Sequence, residues 1–432
     1  MYWESEIETL PRPELEALQL SRLRRTMQQA LSSPHYAALF RQLDLSPDSF
    51  SSLADLGKLP LTSKQDLRDS FPYRMLCSSK NEVIRLHSSS GTTGNPTVVF
   101  HNRHDIDSWA NLMARSLYAA GVRPGDVFQN ICGYGLFTGG LGFQYGAERL
   151  GCLTIPAGAG NSQRQIKLMR DFGTNAVHAI PSYLHRLAEV MAQEGFDPRQ
   201  SGELRIFIIG AEPHSEEQRQ RIEAAFGVKA FNSYGLSEMN GPGVAFECHR
   251  QNGLHVWEDA FLVEIIDPET LEPVADGEIG ELIMTTLDRQ AMPLLRFRTG
   301  DLTRFLPGPC SCGRTHRRLD RITGRSDDMF IVKGCNIFPM QIEGVLMRIP
   351  DLGSNYLLTL ETIDGLDELI IEVEVARRVD FSDKWRLDWL STLLTRQIRD
   401  EILLTPIVKL LPPDSLPQSE GKAVRVRERR RT

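Results

Sequence analysis

Between residues 80 and 235 the chain alternates two textures. Apolar runs of four or five residues, at 127–131, 153–156, 176–180 and 206–209, are separated by stretches with helical spacing at 162–172, 183–194 and 215–226. Short apolar runs alternating with helices predict a mostly parallel sheet with helices packed over it. Ligand loops are then expected at the C-terminal ends of the strands. Ahead of this region, Leu15, Leu18, Leu23, Met27 and Leu31 recur at roughly helical spacing and predict an amphipathic helix over 14–31.

The pattern changes twice more. From 255 to 306, strand-like segments Phe261–Ile266, 281–285 and 302–305 are separated by turn signals such as Asp276-Gly277. This predicts a smaller antiparallel or barrel-like subdomain. Beyond Gly324, residues 355–360 and 368–375 read as strands, and in the second Ile371, Val373 and Val375 alternate with Glu372 and Glu374. Leu390, Leu394, Ile398 and Ile402 repeat every four residues, as one face of a helix does. The expected fold class is therefore α/β. It has a large N-terminal domain of mixed, largely parallel sheets covered by helices, the barrel-like subdomain, and a small α+β C-terminal domain. The short, charged stretch Gly324-Arg325-Ser326-Asp327-Asp328 falls where the texture changes and suits a hinge. The domains are expected at 1–324 and 329–432, with the hinge at 325–328.

Composition narrows the function. At 432 residues, the chain has room for two to three domains of ~100–200 residues each. A net charge of −7 disfavours a general nucleic-acid binder. The basic run Arg425, Arg427, Arg429, Arg430 and Arg431 reads as a solvated terminus. No apolar run approaches the roughly 20 residues of a membrane span, and the acidic N-terminus is not a secretory signal. Seven irregularly spaced cysteines argue against a disulfide framework and for a reducing cytoplasm. Small-molecule substrates are expected, with no nucleic-acid or membrane partner. A homodimer is compatible with all of this.

Six stretches carry candidate chemistry. His87 is followed by Ser88, Ser89, Ser90, Gly91, Thr92, Thr93, Gly94 and Asn95, between two strand-like runs. Glycines can expose backbone N–H groups in a concave nest and hydroxyls add donors, which suits a polyphosphate. This is not a Walker loop, because no Lys-Ser/Thr follows Gly94 and the next element is a strand. Gly210-Ala211-Glu212-Pro213 ends the run at 206–209, and the small pair lets a flat group approach the backbone. Tyr234-Gly235-Leu236-Ser237-Glu238 offers an aromatic face, a hydroxyl and a carboxylate, a hard oxygen ligand of the kind Mg²⁺ prefers. Asp301, straight after Gly300, can accept two hydrogen bonds from ribose hydroxyls. Arg325 lies in the hinge stretch, and Lys422 follows Gly421 near the end.

In this order and spacing, the stretches resemble the adenylate-forming superfamily of acyl-CoA synthetases, firefly-type luciferases and peptide-synthetase adenylation domains. His87 to Gly94, Tyr134-Gly135-Leu136-Phe137-Thr138-Gly139-Gly140, Tyr234 to Glu238 with Gly241-Pro242-Gly243, and residues 322–329 are similar to the phenylacetate–coenzyme A ligase family. The resemblance implies conversion of ATP, an arylacetate and CoA into aryl-acetyl-CoA, AMP and pyrophosphate. Ser88 to Gly94 would hold the β/γ-phosphates, with Asn95 where the family often has Lys, so that Mg²⁺ must neutralise more charge. Gly210, Ala211, Glu212, Pro213, Asn232, Tyr234 and Gly235 would receive the adenosine moiety. Asp301 would bind ribose, Arg325 the nucleotide, and Glu238 the Mg²⁺.

Tyr134, Phe137, Gly139, Gly140 and Ala211 would shape the acid pocket, the aromatics giving the flat apolar wall an aryl ring packs against. Lys422 would stabilise charge at the α-phosphorus during adenylation. The C-terminal domain would then swing about Asp327, withdrawing Lys422 and turning Lys333 and Gly334 towards CoA.

A structural Zn²⁺ takes four Cys/His ligands. Cys310 and Cys312 supply a C-x-C turn, and Cys248 and His255 are the best upstream partners, with His249 a rival. Some members of the resembled family carry such a set. Cys77, Cys132, Cys152 and Cys335 read as ordinary thiols. Three other readings stay open at this point: a ligase for indoleacetate, benzoate or a hydroxylated arylacetate, a coenzyme F390 synthetase-like enzyme, and a non-catalytic nucleotide sensor.

Overall fold

Strand Ile206–Gly210 shows how the central sheet is covered. Ile206 and Ile208 point into one apolar cluster, whereas Phe207 and Ile209 point into another. Alternate side chains of a strand leave opposite faces, so a strand apolar throughout must be covered on both. One face receives helices Arg103–Ala120 and Gly139–Leu150. The other receives helices Ser162–Asp171, Pro181–Gln193 and Glu216–Phe226. The computed structural model describes residues 2–88, 96–200, 202–326, 328–333, 335–363, 366–417 and 424–430.

The sheet has nine strands. Leu153–Ile155, Val127–Asn130, Ala176–Ala179, Ile206–Gly210 and Lys229–Leu236 run parallel, in that spatial order. Gly241–Glu247, Leu254–Val256, Arg318–Leu319 and Phe305–Leu306 continue it antiparallel. The antiparallel subdomain is an open four-stranded sheet, ordered Phe261–Ile266, Gly280–Thr286, Phe297–Thr303, Gly324–Arg325. Helix Arg12–Ala30 lays Leu23, Met27 and Ala30 against Leu262, Leu287 and Leu295 of that region.

Beyond Gly324 a separate core forms. Helices Pro339–Arg348 and Lys384–Ile402 pack with strands Leu352–Ile363 and Leu366–Val375, the helix contributing the stripe Leu390, Leu394, Ile398 and Ile402. The basic terminus departs from the solvated reading. Val426–Arg429 is a strand paired parallel to Leu352–Ile363, with Leu358 opposite Val426. Arg425 lies over the Tyr356 ring, 4.4 Å from its centroid, and donates to the Tyr356 carbonyl. Val426, between Arg425 and Arg427, gives that segment strand character, while the Arg427 and Arg429 side chains stay exposed.

Buried ion pairs tie the N-terminal segment to this frame. Arg115 donates to Asp259 at 2.7 Å and to Glu4, and Arg314 donates to Glu8 at 2.6 Å. Arg115→Ala would leave Asp259 buried, with Arg22, at 3.6 Å, its remaining salt-bridge partner among the described residues. Breaking a buried pair from one side costs about 3–5 kcal/mol. The lower end of that range is expected here, read as a fall in the midpoint of urea unfolding.

Candidate active site

The parallel strands open their C-terminal ends onto one face, and the segments that follow them carry Tyr134, Phe137, Gly139, Gly140, Ala211, Glu212, Pro213 and Glu238. After Val127–Asn130 the chain exposes Tyr134 at 36% and Phe137 at 59%, so neither aromatic is spent on the core. Asn130 fixes Tyr134. Its amide nitrogen donates to the Tyr134 hydroxyl at 3.0 Å and to the Gly140 carbonyl at 2.7 Å, and His178 Nδ1 lies 2.9 Å from its carbonyl oxygen. Both amide hydrogens are thereby engaged and Tyr134 accepts, which leaves the phenolic proton free for another partner. A Cβ on Gly140 would lie 2.6 Å from the Gly133 carbonyl oxygen, so this turn admits no larger residue.

Strand Ile206–Gly210 ends against its neighbour. A Cβ at Gly210 would meet the Ser233 carbonyl oxygen at 2.5 Å, and Ala211 takes a left-handed φ of 67°. The edge offered there is backbone. The Glu212 side chain is already engaged: its carboxylate accepts from the Ser182 N–H at 2.6 Å and from the Ser182 hydroxyl at 3.0 Å. It thus caps helix Pro181–Gln193 from a neighbouring loop. Pro213 is exposed beside it. Asn232 lies within the sheet, its N–H donating to Glu247 at 2.8 Å. At Gly235 a Cβ would sit 2.0 Å from the Gly241 carbonyl oxygen, where the strand doubles back through Ser237–Met239.

Three residues 67 and 24 positions apart meet at one carboxylate. The Tyr234 hydroxyl donates to Asp301 Oδ2 at 2.6 Å, and Arg325 Nη1 donates to Asp301 Oδ1 at 2.9 Å. Asp301 and Arg325 face each other in register on paired strands. Burial pushes the Asp301 carboxyl upward against the opposing pull of Arg325. Burial and the neighbouring Asp301 hold the Tyr234 phenol well above its ordinary value, so it remains a donor.

Glu238 is 4% exposed, and its Oε1 has no hydrogen-bond partner. Arg289 donates to the Glu238 main-chain carbonyl, not to its carboxylate. An orphaned carboxylate oxygen in a buried turn is a fitting ligand for a hard cation.

Ser88 ends strand Arg85–Ser88, which pairs antiparallel with Val98–His101. Ser89, Ser90, Gly91, Thr92, Thr93, Gly94, Asp327, Gly334 and Lys422 lie outside the described residues. Lys333, at φ 50°, is ion-paired with Glu368 of its own domain. A cavity of about 770 Å³ lies between the two domains. Gly160, Ser182 and Tyr183 line it from one side, and Tyr356, Pro417, Val424 and Arg425 from the other.

A second cluster stands apart from the cleft. Cys248, His255, Cys310 and Cys312 bring their ligand atoms within 4.8 Å of one another. Cys248 and Cys310 sulfurs are 3.9 Å apart, and Cys312 Sγ is 3.4 Å from His255 Nε2. Tetrahedral zinc with bonds of about 2.3 Å to sulfur and about 2.0 Å to nitrogen separates its ligands by roughly 3.5–3.8 Å. His255 Nδ1 faces the His316 carbonyl at 3.3 Å, which leaves Nε2 turned to the sulfurs. The rival His249 is exposed and outside the cluster.

Asn130, His178 and Ser182 escaped the sequence reading. The usable signal for His178 was a polar residue inside an otherwise apolar strand.

A parallel sheet whose strand ends face a second domain, with a carboxylate held by tyrosine and arginine between them, is the architecture of an adenylate-forming enzyme. The family described as AMP-binding enzyme matches residues 41–287, and the one described as AMP-binding enzyme C-terminal domain matches residues 334–430. The phenylacetate–coenzyme A ligase of Thermus thermophilus is 43% identical over 98% of both chains. That of Escherichia coli is 44% identical over 97% of this chain and 96% of its own. A solved 2-hydroxyisobutyryl-CoA ligase, 30% identical, superposes on 99% of this chain and 92% of its own with a TM-score of 0.93 in its postadenylation state. The same enzyme in its thioesterification state, with CoA, superposes over the same shares at 0.74. The chain belongs to the phenylacetate–coenzyme A ligase family.

Glu212→Ala should uncap helix Pro181–Gln193. Loss of a cap costs about 0.5–2 kcal/mol, which is expected as a lowered melting temperature in thermal unfolding.

Proposed function

We propose that this chain ligates phenylacetate, or a close arylacetate, to coenzyme A through an acyl-adenylate, with AMP and pyrophosphate as the other products. The observation that carries the reading is the meeting of Tyr234, Asp301 and Arg325 at the ends of two sheets. In a chain of this family, a half-buried carboxylate held by two donors is the group that receives ribose hydroxyls. Ala211 and its neighbours offer backbone to adenine, and Tyr234 its ring. Ser88 to Gly94 take the terminal phosphates. Tyr134, Phe137, Gly139 and Gly140 form the acid pocket, with the free phenolic proton of Tyr134 available to a polar atom of the substrate.

The first half-reaction joins a carboxylate oxygen to the α-phosphorus and breaks the bond to pyrophosphate. The acid is already ionised near neutral pH, so no general base is needed. Two anions must approach, and Lys422 supplies fixed positive charge at the phosphorus. Pro417 and Val424, on either side of its segment, line the interdomain cavity, which supports that reach. Glu238 would hold Mg²⁺, which supplies further charge neutralisation when bound. In the second half-reaction the CoA thiolate attacks the acyl carbon and AMP departs. The domains divide at 1–324 and 329–432, and the second turns about Asp327. Lys333 and Gly334 then face CoA, which requires Lys333 to leave Glu368.

Cys248, His255, Cys310 and Cys312 would hold a structural Zn²⁺, binding the 310–312 turn to the strands beneath it. The sulfur and nitrogen donors and their spacing support this assignment. Residence in the cytoplasm is supported by seven cysteines with no disulfide among them. Among the described residues no helix is long and apolar enough to cross a membrane.

The test is AMP release with CoA and each of phenylacetate, indoleacetate, benzoate and a fatty acid. Phenylacetate is expected to give the highest kcat/KM, with release dependent on CoA. A higher value for benzoate or the fatty acid would replace the arylacetate reading. Pyrophosphate exchange with no CoA thioester formed from any of the four acids would point to an F390 synthetase-like enzyme. Zinc analysis is expected to give about one atom per chain, lost in Cys310→Ser, since structural zinc takes four ligands. A metal-free wild type would refute the assignment.

A further inference from the structure

Two helices from different domains cap each other's ends. Glu343, on Pro339–Arg348 of the C-terminal domain, accepts the Ser215 N–H at 2.9 Å, and Ser215 is the N-cap of Glu216–Phe226. In return, Arg221 on Glu216–Phe226 donates to the carbonyls of Ile349 at 2.5 Å, Leu352 at 3.1 Å and Leu346 at 3.3 Å. Ile349 is the C-cap of Pro339–Arg348. Helix ends leave N–H and C=O groups without intrahelical partners, and the helix dipole favours an anion at the start and a cation at the end. Each domain thus supplies the charge that the other's helix end lacks. The Tyr356 hydroxyl donates to the second oxygen of Glu343 at 2.8 Å and fixes the carboxylate. At the rim, Arg348 and Glu217 approach to 3.4 Å on half-exposed side chains, a pair worth little.

We propose that Arg221 and Glu343 are positioning residues of the adenylation half-reaction, holding the C-terminal domain in the pose that presents its lysine-bearing segment to the nucleotide. The inference rests on the ligase reading above. The domain arrangement supports it: the relative's postadenylation state matches this chain far better than its thioesterification state. The contacts are also built to be released. Among the described residues no carboxylate lies within ion-pair distance of Arg221, and burial lowers its guanidinium to about 10, with Arg378 the nearby like charge. Burial likewise pushes the Glu343 carboxyl upward. Both groups regain water when the domains part, which lowers the barrier to rotation. Neither contacts the reacting atoms, so their effect must run through domain pose.

The test separates the half-reactions. Adenylation is read as ATP–pyrophosphate exchange with an arylacetate. Thioester formation is read from chemically supplied aryl-acetyl-adenylate and CoA. Arg221→Ala and Glu343→Ala are expected to slow exchange by on the order of tenfold in kcat, with KM for the acid little changed, because the population of the competent pose falls. Thioester formation should be unchanged or faster. Glu343→Gln keeps both hydrogen-bond positions and should recover most of the exchange rate. Arg221→Lys keeps the charge but reaches fewer carbonyls, and should show the same split in smaller measure even where an alanine variant fails to fold. Lys422→Ala is the reference: exchange lost, thioester formation retained. Parallel loss of both half-reactions in folded Arg221→Lys, or unaltered exchange in Arg221→Ala, overturns the inference. A wild type that exchanges pyrophosphate with no aryl acid overturns the ligase reading instead.

Discussion

The Asp301 carboxylate is the constraint on which the site's geometry rests. Tyr234 reaches it from the nine-stranded sheet, Asp301 belongs to the four-stranded sheet, and Arg325 arrives on the last strand before the C-terminal domain. Two sheets and the exit of the chain are therefore registered against a single charged group. A carboxylate largely withdrawn from water must be paired and hydrogen-bonded, and half-buried Asp301 meets that demand with two donors. The same donors orient it, so satisfying the burial and shaping the site are one act.

Around this point the sheet supplies rigidity of a particular kind. Gly210 and Gly235 stand where backbone meets backbone, with no room for a Cβ. Loop side chains are then locked by polar groups from beneath. Glu212 is held by Ser182, and Tyr134 is held by Asn130, itself fixed by His178. The site thus presents main-chain edges and two exposed aromatics, with the orphaned carboxylate oxygen of Glu238 buried in the turn after Leu236. That is a surface suited to a flat base, an aryl ring and a cation, with little freedom for any of its parts to rearrange.

Much of this was legible in the sequence, for definite reasons. The apolar runs at 127–131, 176–180 and 206–209 became strands because residues apolar on both faces have no other low-energy place. Tyr234, Asp301 and Arg325 were singled out separately, and only the strand register brought them together. The zinc-type cluster was accessible because cysteine spacing is restrictive. What failed to show was set by tertiary contact. Alternation around Val426 was masked by the arginines, so a paired strand read as a solvated tail. The capping role of the Glu212 carboxylate did not show because its partner Ser182 is distant in sequence. Arg221 and Glu343 carried no signal, since each is an ordinary charged residue on an amphipathic helix until the domains meet.

That difference in legibility tracks a difference in energetics. The Asp301 cluster joins opposite charges on half-buried side chains, with Tyr234 as a second donor, and serves as a fixed point. The interdomain contacts use a carboxylate on an N–H and a guanidinium on carbonyls, where parting leaves groups that water can satisfy. A two-step enzyme needs both kinds of contact. The nucleotide must stay registered while the chemistry above it changes, and the domain that supplies the first step's charge must be able to leave. On the proposed function, the fixed pairing at Asp301 serves the ribose and the exchangeable capping serves the domain boundary.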